Sequence, residues 1–107
     1  MLVIHASMDK KYFNESDLVT IACQMRREYA HEKEFLLRIF DNYNAARRYN
    51  SQGEGNSRAT ADSFRAEYGF SRETKHQQLR WRPSFEIPEK WVDIVFEDAS
   101  VANPLPN

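Results

Sequence analysis

The first 41 residues constrain the fold most, because two apolar segments in them flank a helical pattern. Leu-Val-Ile at residues 2–4 opens the chain, and an apolar run at residues 35–40 closes the unit. A helix between them is long enough to carry the chain across a sheet and return it parallel to the first strand. The segment therefore predicts a β-α-β unit.

The intervening helix is amphipathic, and polar residues mark its start. Asn14 or Ser16 can serve as the N-cap, and acidic side chains in or beside the first turn suit the helix dipole. The apolar side chains recur at helical spacing, which places them on one face: Leu18, Ile21, Ala22, Met25 and Tyr29. We expect this face to lie on a sheet, with Cys23 beside it as a small buried hydrophobic residue.

The second apolar run has large apolar side chains on both of its faces, which is typical of a central strand with cover on each side. Asp41 or Asn42 can then cap a short helix from Tyr43 to Tyr49. The following residues, 50–61, contain two of the three glycines and very little apolar material. They predict a mobile surface loop.

Residues 63–71 and 76–82 predict a β-hairpin, because apolar and polar side chains alternate on both arms. Pro83 ends the second arm. Residues 91–96 favour a short strand, although Pro88-Glu89 before them also suits a helix start, so that 88–97 is open between strand and helix. The side chains expected to face the core are Phe64, Ala66, Tyr68, Phe70, Leu79 and Trp81.

These elements predict an α+β fold, a two-layer sandwich with a four- to five-stranded mixed sheet. Its strands are residues 1–7, 34–40, 63–71 and 76–82, and the segment 91–96 adds an edge strand or docks across the sheet. The long helix packs on one face and the short helix lies near one edge. We expect one domain over residues 1–98 and a flexible tail over 99–107.

Charge is nearly balanced overall but unevenly distributed. The 15 basic and 16 acidic side chains among 107 residues give a formal net charge of -1, which argues against a general polyanion binder. Residues 42–82 carry eight basic and four acidic side chains, whereas residues 83–107 carry one basic and five acidic. Either residues 83–107 fold back over residues 42–82 and neutralise their charge, or residues 42–82 face an acidic partner.

The single cysteine excludes an internal disulfide and fits a reducing compartment. No apolar window is long enough to span a membrane, and no signal peptide is visible, so we predict a cytoplasmic protein without membrane contact. A chain whose leader had been removed would look the same.

Catalytic signatures are absent from the sequence. The histidines, His5, His31 and His76, lack partners at metal-ligand spacing, and no serine lies in a nucleophile-elbow context. Gly53-Glu54-Gly55 is no phosphate loop, because it follows a helix and lacks the lysine. We predict no catalytic residues, no metal and no cofactor, although an enzyme whose site forms only in three dimensions stays open.

The polar face of the hairpin is the one group of side chains in the sequence that suggests a binding site. Arginines on a sheet face can hold phosphates or carboxylates, although cross-strand pairing with Glu67 on a solvated sheet is the favoured explanation. Aromatic side chains are expected on the other face, which argues against base stacking. The candidate binding residues are Arg65, Glu67, Gln78, Arg80 and Arg82, with Arg47 and Arg48 of the short helix.

No motif of a known family is recognisable. The leading functional hypothesis is a non-catalytic protein-interaction module, such as an accessory, inhibitor or immunity-like protein. Its partner would be another protein, or a second copy joined through a strand edge. The alternatives are a nucleic-acid-binding domain that uses the arginine face, and a small enzyme whose site the sequence does not show.

Overall fold

The computed structural model describes residues 1–50, 52–74, 76–84 and 90–94. These residues form one five-stranded sheet in the order β1-β2-β3-β4-β5. The strands are β1 Leu2–Ser7, β2 Glu34–Phe40, β3 Phe64–Ser71, β4 His76–Trp81 and β5 Val92–Ile94. The helices are α1 Glu15–Glu28, α2 Tyr43–Arg48 and α3 Arg58–Asp62, with a 3-10 turn at Lys10–Tyr12.

The predicted α+β fold with a mixed sheet is confirmed. Strand β1 runs parallel to β2 through the α1 crossover, and all other neighbours are antiparallel. The open choice at 88–97 is resolved in part, because Val92–Ile94 pairs with β4 as an edge strand. Residues 88–89 and 95–97 of that segment and the predicted tail at 99–107 lie outside the described residues.

Helix α1 covers one face of the sheet, as its apolar spacing predicts. Asn14 is the N-cap, and its side-chain oxygen accepts a hydrogen bond from the backbone N–H of Asp17 at 2.8 Å. Leu18 and Ala22 are buried against the inward side chains of the sheet. Cys23 is also buried, and burial raises the pKa of its thiol, as expected for an unreactive core cysteine.

A β-bulge near the start of β3 changes the face on which Phe64 lies. Ile39 pairs with Ala66 and Phe40 pairs with Phe64, so Arg65 is the extra residue on β3. The prediction that Phe64 shares the α1 core with Tyr68 is therefore wrong. Phe64 instead packs in a second cluster on the opposite face, whose buried members are Phe40, Ala45, Ala46 and Phe64.

The short helix α2 packs against β1 and β2 on that opposite face. Asn42 caps it, accepting a hydrogen bond from the backbone N–H of Ala45 at 3.0 Å. This cover confirms that both faces of β2 are sheltered. Helix α3, capped by Ser57, overlaps the end of the segment predicted as loop, so the loop prediction is wrong for residues 58–61. The mobility expected for residues 50–61 stays a prediction.

No helix in the described ranges is long and apolar enough to cross a membrane.

Candidate functional site

Strand register brings five polar side chains, one from each strand, into a single line across the sheet. The registers pair His5 with Arg38, Arg38 with Glu67, Glu67 with Arg80, and Arg80 with Asp93. Residues paired in this way point to the same face, here the one opposite α1. We call these five residues the charged row.

Glu67 is the centre of the charged row. One carboxylate oxygen lies 3.3 Å from Nε of Arg38, and the other lies 3.0 Å from Nη2 of Arg80. The side chain of Arg38 is only 15% exposed, whereas that of Arg80 is 37% exposed. The Arg38–Glu67 pair is therefore largely shielded from water, and the Arg80 pair lies at the boundary with solvent.

At the β1 end of the charged row, both nitrogens of the His5 ring have partners. Nε2 lies 3.2 Å from Nη1 of Arg38, and Nδ1 lies 3.2 Å from the backbone oxygen of Ala46. Arginine can only donate, so Nε2 accepts from Arg38 and Nδ1 carries the hydrogen that is donated to Ala46. This arrangement requires a neutral imidazole and ties β1, β2 and α2 together.

The environment of His5 lowers its pKa below the usual 6.5. Burial of the ring is the largest cause and the charge of Arg38 acts in the same direction, while the hydrogen bond to Ala46 opposes them. The rings of Phe40 and Tyr49 lie 5.4 and 5.6 Å from the imidazole, centroid to centroid. Protonation would place a second positive charge beside Arg38 in this partly buried position.

We expect acid to destabilise the fold through His5. The unfolded chain protonates His5 near pH 6.5 while the folded chain resists, so the stabilisation is complete above pH 6.5 and is lost as pH falls through the lowered folded value. The slope is at most about 1.4 kcal/mol per pH unit for one proton. Urea unfolding of the wild type and of His5→Gln across this pH range measures it.

The matched control for this pH dependence is His31→Gln, because the His31 side chain is 76% exposed. That variant should keep the wild-type slope below pH 6.5, whereas His5→Gln should lose it. Equal slopes for wild type and His5→Gln would contradict the assignment.

On the β4 side of Glu67, Arg80 of the charged row and the neighbouring Arg82 contact an aromatic side chain. The guanidinium groups of Arg80 and Arg82 lie 4.5 and 4.8 Å from the centroid of the Trp91 ring, within the range of cation–π attraction. Gln78 donates a hydrogen bond to Asp93 at 3.2 Å. These contacts hold β5 against β4, and they give both arginines an interaction partner within the protein.

The structure brings together four of the seven residues proposed from the sequence: Glu67, Gln78, Arg80 and Arg82. Arg65 is separate, because the bulge turns its guanidinium to Asp41, with Nε to Oδ2 at 3.2 Å. Arg47 lies beside Tyr43 on α2, and Arg48 borders a different depression near Asp41.

Sequence reasoning missed His5, Arg38, Asp93 and Trp91 as members of this constellation. One signal was present for Arg38, which is the one charged residue in the otherwise apolar run Phe35–Phe40. A charged side chain in such a strand needs a partner when it is buried. The sequence does not identify that partner, because strand register is a long-range property.

The outer edge of β1 is a second candidate site. Met8 donates its backbone N–H to Phe40 at 3.0 Å, so in the parallel pattern the even-numbered residues of β1 turn their backbone groups toward β2. Val3, His5 and Ser7 turn theirs outward, and no described residue hydrogen-bonds to those groups. We call these outward backbone groups the β1 edge.

Apolar side chains border the β1 edge on both faces of the sheet. On the α1 face, Leu2, Ile4, Ala6 and Met8 pack on the core but are only partly buried. On the other face, Val3 is 44% exposed, and a depression of about 440 Å³ separates β1 from Tyr43 and Arg47 of α2. A six-residue strand with partly covered apolar neighbours is an edge that none of the described residues protects.

The opposite edge of the sheet differs. In the described residues β5 contains three residues, and Asp93 gives it a charge. A short, charged edge strand is a common protection against pairing with other chains. The two edges therefore differ in their capacity to accept another strand.

In the described part of the chain, no three His, Cys, Asp or Glu side chains form a group that could hold a metal ion. No protein-family model, curated protein or solved structure matches the chain significantly. These comparisons therefore give no indication of its function.

Proposed function

We propose that this chain is a non-catalytic protein-interaction module that binds an extended protein segment along β1. The β1 edge carries the proposal, because the backbone groups of Val3, His5 and Ser7 have no partner among the described residues. In strand addition such groups supply main-chain hydrogen bonds, and the neighbouring side chains supply specificity.

The apolar side chains beside β1 add a driving force. A strand placed next to β1 would cover Leu2, Ile4 and Ala6 on the α1 face and Val3 on the other face. Removal of apolar surface from water stabilises an interface by about 25 cal/mol per Å² before the costs of association. Main-chain pairing and apolar burial thus favour the same docking position.

The charged row favours a structural role over catalysis. Both carboxylate oxygens of Glu67 lie in ion pairs, and both ring nitrogens of His5 lie in hydrogen bonds. A general acid or base needs an atom within reach of the substrate proton. The row instead ties the strands and α2 to one another.

The same contacts weigh against the nucleic-acid alternative. Arg38 and Arg80 are paired with Glu67, and Arg80 and Arg82 also lie on Trp91. Phosphate binding by these arginines would compete with internal contacts. The proposal therefore places recognition at the β1 edge, away from the arginines.

The variant Val3→Lys tests the proposal, with Val92→Lys as the matched control on the opposite edge strand. Immobilised protein is exposed to an extract of the producing organism, and a photo-crosslinker in place of Val3 maps the contact. We expect wild type and Val92→Lys to capture the same protein, and Val3→Lys to capture about tenfold less, because an edge lysine opposes strand addition.

Thermal unfolding of each variant establishes that it is folded. Capture that Val3→Lys leaves unchanged would overturn the proposal, since the contact would then lie elsewhere. Capture of nucleic acid alone, lost in the double variant Arg80→Ala/Arg82→Ala, would also overturn it and support the alternative.

A further inference from the structure

We infer that the segment added to β1 carries an acidic side chain, which enters the depression between β1 and α2 and pairs with Arg47. This inference rests on the proposed function and names the chemistry of the partner segment. The depression has a volume of about 440 Å³, and it borders the β1 edge on the face opposite α1. It is therefore open to a side chain of a strand that pairs with β1.

Arg47, on α2 and outside the charged row, is the one permanently charged side chain among the described residues that line this depression. Its guanidinium lies 5.7 Å from the centroid of the Tyr43 ring, within the range of cation–π attraction, and no carboxylate of the described residues contacts it. Four other arginines are already paired with carboxylates: Arg38, Arg58, Arg65 and Arg80. Arg47 can therefore bind a carboxylate of another chain without giving up an internal ion pair.

The polar groups of the depression favour a hydrogen-bond acceptor. Arg47 can only donate, and the hydroxyl of Ser7 makes no hydrogen bond within the described part of the chain. Both ring nitrogens of His5 are already engaged. A cationic partner side chain would be repelled by Arg47, and an apolar one would shield the guanidinium from water without replacing its hydrogen bonds. A carboxylate avoids both costs.

The position of the depression indicates a side chain as the source of this carboxylate. Residues of an added strand that lie opposite Val3, His5 and Ser7 point to the same face as these three, and their neighbours point to the α1 face. Because Val3 and Ser7 both line the depression, an added strand continues past it in both directions. We therefore expect an acidic residue within the segment, flanked by apolar residues that cover the α1 side of β1.

Charges near the two ends of β1 do not oppose an acidic segment. At the start of the strand, three acidic side chains are balanced by three positive groups: Glu32, Glu34 and Glu73 against Lys33, Arg72 and the Met1 ammonium group. Beyond its end, Lys10 and Lys11 outnumber Asp9. Arg47 adds to this balance, so the charge along the β1 edge is positive and complements an acidic partner.

Blocked peptides in which valine and threonine alternate around a central glutamate, glutamine or lysine test the inference. Each is titrated to about 2 mM into the isotope-labelled full chain, and amide chemical shifts report the affinity and the position of the contact. We expect shifts at Val3, His5 and Ser7. The glutamate peptide should bind about fivefold more tightly than the glutamine peptide, as a partly exposed ion pair allows, and the lysine peptide should bind most weakly.

Arg47→Gln should abolish the preference for glutamate over glutamine. Arg48→Gln is the matched control and should keep the preference, because Arg48 lies on the same helix but borders a different depression. Val3→Pro should weaken the glutamate and glutamine peptides alike, by about tenfold, because it removes an outward N–H group and adds no charge. Thermal unfolding establishes that each variant is folded, and the wild-type shifts locate the contact independently of them.

Equal binding of the glutamate and glutamine peptides, or a preference that Arg47→Gln leaves unchanged, would overturn the inference. Strand addition at β1 would stand in that case if the shifts still centred on Val3, His5 and Ser7. Shifts confined to other parts of the chain, or no shift with any peptide, would overturn strand addition and the acidic partner together.

Discussion

Replacement of Glu67 by glutamine is expected to lower the free energy of unfolding by about 2–4 kcal/mol. Glutamine keeps the size of the side chain but removes the negative charge between two guanidinium groups. Arg38 would then be a largely buried charge without a counterion, since its side chain is 15% exposed. Most of the loss arises there, because the more exposed Arg80 can be hydrated. Urea unfolding at neutral pH measures the change.

The matched control for this variant is Glu54→Gln, because Glu54 is exposed. That variant should change stability by less than about 0.5 kcal/mol. The double variant Arg38→Met/Glu67→Leu should recover much of the stability lost in Glu67→Gln, because apolar side chains can replace a shielded ion pair. A loss for Glu67→Gln as small as for the control would show that the row does not hold the strands together.

A larger loss, about 3–5 kcal/mol, is expected for Asp41→Ala. Asp41 lies 3.2 Å from Nε of Arg65, whose side chain is only 6% exposed. Its other carboxylate oxygen accepts a hydrogen bond from the hydroxyl of Ser63 at 2.6 Å. Removing the carboxylate takes the Asp41 ion pair from the buried guanidinium of Arg65 and the acceptor from the buried hydroxyl of Ser63, so two costs combine.

Asp62→Ala is the control for Asp41→Ala, because Asp62 pairs with Arg58 on the surface, where the side chains are 42% and 84% exposed. Its loss should be below about 0.5 kcal/mol, as for other exposed pairs at this helical spacing. The comparison by thermal or urea unfolding therefore isolates burial. Similar losses for the two variants would contradict the importance assigned to the Asp41–Arg65 pair.

The features that the sequence predicts correctly depend on local periodicity. Spacing from Leu18 to Tyr29 identifies α1, and alternation along the hairpin identifies β3 and β4. The cross-strand pairing of arginine with Glu67 is also confirmed, since Arg80 lies opposite it in the hairpin. These properties depend on neighbours in the chain, which a pattern can record.

The features that the sequence does not predict depend on register between distant segments. Alternation continues without interruption through Arg65, so the pattern gives no sign of the bulge that moves Phe64 to the other face. The alignment of His5 with Arg38, and of Arg80 with Asp93, requires the pairing of β1 with β2 and of β4 with β5. Such pairings follow from the packing of the whole sheet.

His5 belongs to two parts of the molecule at once. Its main chain forms the middle of the outer rim of the sheet, while its ring is held by Arg38 and by the carbonyl group of Ala46. Sliding of the first strand along its neighbour would draw the imidazole away from one holder or the other. A shift of the β1 main chain would therefore also alter the hydrogen bonds of the His5 ring. One of these bonds attaches α2 to the sheet, so the position of α2 depends on the position of β1.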